Sequence, residues 1–209
     1  RAVVAAAFVA TGAQAFEIET GNPDVAIRWD NTFKYNLGYR LQNPDAGLIG
    51  DDIPANVNSL NLDDGDRNFR RGVVSNRIDL LSEFDLAYRK NYGLRISGAA
   101  WYDTVYNRGN DHDAPARANQ SSVPYNEFTA ATRELHGRQA EFLDAFVYAT
   151  FEKGNVRLGR HSLLYGETLF FGGNGIAYAQ SPTDVVKLLA VPGSQFKEII
   201  LPVNQISGQ

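Results

Sequence analysis

One stretch of the chain, residues 25–41 (VAIRWDNTFKYNLGYRL), alternates between apolar and polar side chains with a period of two. Its odd positions are apolar or aromatic except Asn31, and its even positions are mostly polar. Because successive side chains of a β-strand point to opposite faces, this pattern predicts a strand with one apolar and one polar face. The run is longer than the ~5 to 6 residues usual in soluble sheets, and a tilted strand of about 9 to 11 residues crosses a bilayer.

The apolar face of this strand has the composition of a lipid-facing stripe. Trp29 and Tyr39 lie near its ends, where interfacial aromatic residues are expected, and the other face carries charges of both signs, including Arg28, Lys34 and Arg40. The alternative is a long strand of a soluble sandwich with one wet face.

Composition agrees with a membrane strand and excludes several other classes. The chain has 209 residues, a formal charge of −4, and neither cysteine nor methionine. Disulfides and cysteine-based metal or catalytic sites are therefore excluded. The mean hydropathy of −0.31 and the absence of a long apolar run predict no helical membrane span. A pI near 5.4 without a basic cluster argues against nucleic acid, and no cofactor is expected.

The amino-terminal residues 1–15 have the parts of a signal peptide. Arg1 precedes a run of small apolar residues, which ends in Ala13, Gln14 and Ala15, an A-x-A cleavage pattern. We therefore expect residues 1–15 to be a signal-peptide remnant, the mature chain to start at Phe16, and residues 16–209 to be the amino-terminal part of one barrel domain. The alternative for the first residues is a short buried helix.

The rest of the chain repeats a rhythm of strands, short turns and long polar connections. Five more strands are predicted at residues 77–88, 94–106, 141–151, 156–160 and 196–203, with short turns at 89–93 and 152–155 and long loops at 42–76 and 107–138. A short helix is predicted within 128–137. Another, with Ser181 as N-cap and Pro182 in its first position, would fold inward and narrow a lumen.

The polar faces of these strands supply the candidate functional residues. Phe142, Phe146 and Tyr148 are expected to point inward with Asp144, and Gly159 is expected to mark a β-bulge. The candidates for lumen-facing or selectivity residues are Arg28, Lys34, Arg40, Asp79, Glu83, Asp85, Arg95, Asp103, Asp144, Arg157, Arg160 and His161. Arg157, Arg160, His161 and the glycine-aromatic segment 165–178 are preferred for selectivity, and most of the others are expected to be salt bridges between strands.

Two acidic groups in the long loops were weighed as metal sites. Residues 63–68 contain three aspartates but lack the ligand alternation and terminal Glu of an EF-hand, and residues 111–113 read Asp-His-Asp. Solvated acidic loops are the expectation at both places, and no metal is predicted. The glycine-rich segment lacks the strand and helix that flank a phosphate-binding loop.

Several long segments resemble one family of Gram-negative outer-membrane proteins, domain of unknown function 1302. They include FEIETGNPDVAIRWDNTFKYNLGYRL, RGVVSNRIDLLSEFDLAY, LHGRQAEFLDAFVY, VRLGRHSLLYGETLFFGGNGIA and QFKEIILPVNQISGQ. The resemblance spans nearly all of residues 16–209. It implies an outer-membrane β-barrel longer than this chain, associated with outer-membrane lipid, a periplasmic carrier protein and an inner-membrane transporter of the resistance-nodulation-division type. Five or six strands are also too few to close a membrane barrel, so we expect this chain to be a fragment of one.

The fold class expected is therefore all-β, an antiparallel transmembrane β-barrel with long outer loops and short inner turns. The expected function is a conduit, not an enzyme, through which a small hydrophobic or amphipathic compound crosses the outer membrane of a Gram-negative bacterium. Two alternatives stay open: a surface receptor or adhesin that acts through the loops 42–76 and 107–138, and an outer-membrane lipid or ester hydrolase. For the hydrolase, neighbouring His161 and Ser162 are poorly placed, because adjacent strand residues point to opposite faces.

Overall fold

A computed structural model of the chain describes residues 4–10, 14–49, 67–113, 126–163 and 182–209. Within these ranges the protein forms eight β-strands: β1 Val4–Ala10, β2 Gln14–Ile18, β3 Val25–Arg40, β4 Gly72–Tyr88, β5 Tyr92–Asp103, β6 Arg138–Phe151, β7 Gly154–His161 and β8 Val203–Gly208. The helices described are short: α1 Ala46–Ile49, α2 Ala130–Thr132 followed by a π-helical turn Arg133–Gly137, α3 Val185–Ala190 and α4 Phe196–Ile199. The prediction of an all-β chain is confirmed.

The strands form one antiparallel sheet in the order β1, β3, β4, β5, β6, β7, β8, with β2 also paired to β3. Central strands are long: β3 has 16 residues, β4 has 17 and β6 has 14. At about 3.3 Å per residue each of these strands extends more than about 45 Å. The connections from β4 to β5 and from β6 to β7 are tight turns, which confirms two of the predicted hairpins.

Several strand boundaries differ from the prediction, and side-chain contacts accompany two of the differences, at the start of β4 and the end of β5. β4 begins at Gly72, so the last part of the loop predicted at 42–76 is strand. Ser75 there donates from Oγ to the Asp103 carboxylate at 2.7 Å. β5 ends at Asp103 and not at Tyr106, because the same carboxylate accepts from the backbone N–H of Val105 at 2.8 Å and turns the chain.

The prediction of a strand at 196–203 is wrong. Residues Phe196–Ile199 form the single turn α4, and the strand begins only at Val203. The Glu198 carboxylate accepts from the backbone N–H of Gln195 at 2.8 Å, a cap that stabilises a helical turn at the expense of an extended chain. The helix predicted upstream is present as α3, but its N-cap is Asp184, which accepts from the Lys187 N–H at 2.9 Å. Ser181 lies outside the described residues.

The alternation of β6 shifts by one residue at Leu143 and Asp144. Phe142 is 73% exposed and Leu143 only 2%, so Phe142 points outward and the assignment of these two residues was wrong. Asp144 and Phe146 are partly buried, as predicted. The bulge predicted at Gly159 is also wrong, because pairing runs without interruption from Phe151 opposite Gly154 to Ala145 opposite Arg160.

The amino-terminal residues lie along the edge of the sheet. β2 pairs antiparallel with β3, with Phe16 opposite Trp29. β1 also joins the sheet through β3. Strands, and not the short helix considered as an alternative, occupy Val4–Ala10 and Gln14–Ile18, and the signal peptide stays a prediction.

The chain divides into two compact units, and each has its own packed interior. The first consists of residues 1–9, 35–78 and 101–139, and contains an aromatic cluster in which Tyr106 lies 5.6 Å from Phe69, 4.9 Å from Phe128 and 4.8 Å from His136 between ring centroids. The second consists of residues 10–34, 79–100 and 140–209. Its core is Leu81, Ala99 and Leu143, packed against Leu201.

Candidate functional site

In β4 and β5, charged side chains are buried while large apolar side chains of the other face are exposed. In β4, Ile78 is 51% exposed, whereas Arg77, Asp79 and Glu83 are 3%, 5% and 5% exposed. β5 continues the pattern, with Tyr102 at 47%. Such an arrangement is the reverse of a soluble sheet, where large apolar residues are covered and charges face water. It confirms the faces predicted for these two strands.

The exposed apolar face extends over many strands. Its large members with at least a third of their surface exposed are Trp29, Phe33, Tyr35, Tyr39, Ile78, Tyr88, Tyr92, Ile96, Tyr102, Phe142, Val147, Phe151, Val156, Leu158 and Ile206. Soluble monomers rarely expose an apolar surface of this extent, and such surfaces mark contact with protein or lipid. Trp29 donates from its indole nitrogen to Ser82 at 2.9 Å, which satisfies its polar atom on this face.

An ion-pair network lies on the opposite face, in the second unit. Its centre is Glu83, whose side chain is 6% exposed and pairs with both Arg95 and Lys197. Arg95 also reaches Asp85 at 3.3 Å and Asp144 at 3.5 Å. Four of the predicted site residues, Glu83, Asp85, Arg95 and Asp144, are therefore brought together. A buried carboxylate of this kind is tolerated because two cations neutralise it.

Two further ion pairs hold the segment of α3 and α4 against the same face of the second unit. Lys34 on β3 contacts both carboxylate oxygens of Glu198 on α4 at 2.8 Å, and the two side chains are 13% and 3% exposed. Lys187 on α3, 5% exposed, pairs with Glu141 on β6. With Lys197, three lysine ion pairs join this segment to β3, β4 and β6. The segment that was predicted to fold inward thus lies against the polar face of the sheet.

A cavity of about 530 Å³ opens on the polar face of the second unit. Its charged wall includes Arg157, Arg95 and Lys197, and its apolar wall includes Phe146 and Phe196. The guanidinium of Arg157 lies over the Phe146 ring, 5.8 Å from its centroid. Volumes of about 300 to 1,000 Å³ are typical of sites for small organic molecules.

His161 lines this cavity and is 1% exposed. Its Nδ1 lies 3.1 Å from the carbonyl oxygen of Gly159, and its Nε2 lies 2.8 Å from Ser207 Oγ. A carbonyl oxygen only accepts, so Nδ1 carries a proton, and in the neutral ring Nε2 is then the acceptor for the Ser207 hydroxyl. Sequence reasoning examined Ser162 as the partner of His161 and missed Ser207, because residues far apart in sequence meet only through strand pairing.

The other predicted site residues lie elsewhere. Arg28 is an exposed ion-pair partner of Asp30. Arg40 donates to the Phe69 carbonyl at 2.7 Å, and Asp103, 1% exposed, accepts from Ser75 and Val105. Arg160 donates from Nε to the Leu143 carbonyl at 3.0 Å and does not line the cavity. Asp79 is 5% exposed within β4. The predicted segment 165–178 lies outside the described residues.

Of the two acidic groups considered as metal sites, Asp63, Asp64 and Asp66 lie outside the described residues, and Asp111 and Asp113 are held by arginines and backbone groups. Asp113 pairs with Arg67 at 3.3 Å and with Arg70, and Asp111 accepts from the Arg70 N–H at 3.0 Å. Burial by itself would raise the pKa of Asp113, but hydrogen bonds from Arg70 and Arg67 and their charges hold that pKa below its usual value. No group of three or more potential metal-binding acids or histidines occurs among the residues described.

Asp113→Asn should loosen the contact between residues 67–70 and 110–113 at neutral pH. A carboxylate with a lowered pKa in the folded state contributes stability above its unfolded pKa of about 3.9, and loses that contribution as the pH falls through the folded value. We therefore expect lower hydrogen-exchange protection of the Arg70 and Asp111 amides in the variant at pH 7. The difference should vanish at pH values below the folded pKa. A difference that persists there would contradict an ionic cause.

Lys187, Lys197 and Glu198 are three further residues of the candidate site that sequence reasoning missed. Lys197 and Glu198 lay within the stretch interpreted as a strand, and Lys187 within a short helix to which no partner was assigned. Their signal was a set of charged residues among apolar ones in a short segment that follows polar-faced strands. Only the tertiary structure pairs them with Lys34, Glu83 and Glu141.

The described residues define an all-β protein, built on a long-stranded antiparallel sheet with an apolar exposed face and a buried polar face. In the described part of the chain, no helix has the length and apolar character needed to cross a membrane. The sequence matches the family described as Protein of unknown function (DUF1302) over residues 1–209, and the chain belongs to that family. This confirms the resemblance. No curated protein and no solved structure matches the chain.

Proposed function

We propose that this chain is part of an outer-membrane β-barrel that conducts a small hydrophobic or amphipathic compound. The observation that carries the proposal is the reversal of the sheet faces, with Phe33, Tyr102 and Phe142 exposed and Glu83 and Asp103 buried. Lipid contact accounts for exposed aromatic side chains, and a wet interior accounts for charges on the other face. A soluble sandwich accounts for neither.

Strand length supports the same proposal. β3, β4, β5 and β6 have 16, 17, 12 and 14 residues, and each exceeds the about 9 to 11 residues that a tilted membrane strand needs. The tight turns after β4 and β6 and the long connections after β3 and β5 follow the alternation of barrels in bacterial outer membranes.

The polar face supports conduction in particular. Arg95 and Lys197, with the acids around them, create a field across the sheet surface, and charged rings of this kind select ions and orient polar solutes in pores. The ion-paired α3 and α4 segment lies against that face. In the proposed barrel this segment narrows the lumen without covering the cavity at Arg157.

Arg95→Gln in the complete protein, refolded into a planar bilayer, tests the conduit. We expect steady single-channel current from the unmodified protein. In the variant, cation over anion permeability should rise roughly twofold or more, because three carboxylates lose a shared cation. Lys197→Gln, whose side chain is 41% exposed, should act in the same direction with less effect on folding.

Arg89→Gln is the matched control for this experiment. Arg89 lies in the turn after β4, is 61% exposed and pairs with Asp24 at 3.0 Å, away from the cavity. We expect its substitution to leave the reversal potential unchanged. Absence of current from folded, heat-modifiable protein would overturn the conduit.

The two alternative functions, a hydrolase and a surface receptor, predict different experimental results. The 2.8 Å contact between His161 Nε2 and Ser207 is the observation that favours a hydrolase, since it joins a hydroxyl to an acceptor nitrogen. Turnover of a lipid ester that Ser207→Ala abolishes, without any current, would establish that alternative. A receptor would lose ligand binding when residues 107–138 are deleted, whereas a conduit would keep its conductance.

A further inference from the structure

Arg157 is a cation of the cavity wall with which no carboxylate of the described residues forms an ion pair. Arg157 takes part in none of the ion pairs found within the described ranges, and it is an exposed residue. The other two cations at the cavity, Arg95 and Lys197, are both paired with acids. Arg157 is therefore the cation of the cavity wall whose N–H donors remain available to a bound molecule.

The guanidinium of Arg157 is oriented by a neighbouring aromatic ring of the cavity wall. Its guanidinium lies over the Phe146 ring at 5.8 Å, a cation–π contact that orients the group while leaving its N–H donors free of the ring. Gly159, directly opposite Phe146 in the β6 and β7 pairing, has no side chain to displace that ring. The planar N–H fork of arginine suits the two oxygens of a carboxylate or sulfonate.

The rest of the lining suits an apolar body. Phe146, Tyr148, Phe196 and Ile200 line the cavity with Arg157, and Phe196 is 60% exposed, so its ring is available for contact. The acids at the cavity, Asp85 and Asp144, both pair with Arg95, at 3.3 and 3.5 Å, whereas Arg157 has no such partner among the described residues.

We propose that this cavity binds an amphipathic organic anion, with a carboxylate or sulfonate held by Arg157 and an aromatic or aliphatic body against Phe146, Tyr148 and Phe196. The proposal names the solute class of the conduit and so rests on the function proposed above. It also assigns the specificity to β6, β7 and α4, and not to Arg160, which donates to the Leu143 carbonyl.

Binding of 2-naphthoate to the complete protein in phosphatidylcholine nanodiscs tests this site. Naphthalene fluorescence reports binding after subtraction of empty nanodiscs, and 2-naphthamide and 2-naphthylmethylammonium serve as neutral and cationic probes of the same shape. We expect the naphthoate to bind best. Arg157→Gln should weaken it about tenfold, because a charge-assisted pair is lost, and should leave naphthamide binding unchanged.

Two further variants serve as controls for the loss of the Arg157 charge. Arg157→Lys retains the cation and should recover part of the naphthoate affinity, and Arg28→Gln removes an exposed cation of β3 that does not line the cavity. Equal binding of naphthoate and naphthamide, or naphthoate affinity unchanged in Arg157→Gln, overturns the anion site. Current in a planar bilayer from the same preparation tests the conduit separately, so current without naphthoate binding overturns the solute class alone. Naphthoate binding without current keeps the site and overturns the conduit.

Discussion

Gly159→Ala is expected to destabilise the protein by about 3 to 5 kcal/mol, because it adds both backbone strain and a steric clash. Its φ of 128° lies in a region that side-chain-bearing residues rarely adopt. An added Cβ would also lie 2.8 Å from Phe146 Cα and closer still to the Ala145 carbonyl oxygen, so the paired strands β6 and β7 would have to separate. Urea unfolding of the complete protein in vesicles measures the loss.

Two other glycines separate these costs. Gly21 has a φ of 69° but nothing within 4 Å of an added Cβ, so Gly21→Ala carries the strain alone and should cost about 1 to 2 kcal/mol. Gly208→Ala carries neither, since the nearest atom is 3.6 Å from the added Cβ, and it should cost less than about 1 kcal/mol. Equal losses at Gly159 and Gly208 would refute the steric argument.

Lys34→Met is expected to cost about 3 to 5 kcal/mol and to release the α3 and α4 segment from β3. The substitution leaves the carboxylate of Glu198, 3% exposed, without its cation, while the backbone cap to Gln195 remains. Urea unfolding measures the stability. Limited proteolysis between residues 182 and 202 measures the release, and single-channel conductance should rise if the segment narrows a lumen.

Arg28→Met provides the control from the same strand. Arg28 is also a cation on β3 paired with an acid, but its side chain is 58% exposed. The Asp30 side chain is 14% exposed, but water can take the place of the exposed guanidinium, so this substitution should cost clearly less than Lys34→Met and leave proteolysis of residues 182–202 nearly unchanged. A loss as large as that of Lys34→Met would mean that strand charge, and not the buried pair with Glu198, holds the segment.

The strands and their faces were predictable where one local rule dominates. The predicted strand 25–41 is β3, and the opposite faces of Arg77 and Ile78 follow from alternation alone. Alternation failed at Leu143, because a shift of one residue in β6 depends on what the neighbouring strands present and leaves no mark in the local pattern. The helical turn capped by Glu198 could not be predicted either, because the stretch FKEIILPV has the composition of a strand.

The types of residue in the candidate site were predictable from the sequence, but which of these residues contact one another was not. Glu83, Asp85, Arg95 and Asp144 were chosen because each lies on a polar strand face, and the structure brings these four together. Arg160 was preferred as a selectivity residue although it breaks the alternation of its strand, and it donates to a carbonyl outside the cavity. Lys197 was absent from the selection although it pairs with Glu83.

The sequence by itself determined that this chain forms long antiparallel strands with one apolar and one polar face, because side-chain alternation is a local property of extended backbone. Only the tertiary structure decided that Lys34 meets Glu198, that His161 meets Ser207, and that Arg157 alone among the cavity cations is left without an acid in the described residues. Pairing between charges distant in sequence depends on strand register and on how the α3 and α4 segment folds back, and neither is encoded in any single stretch of residues.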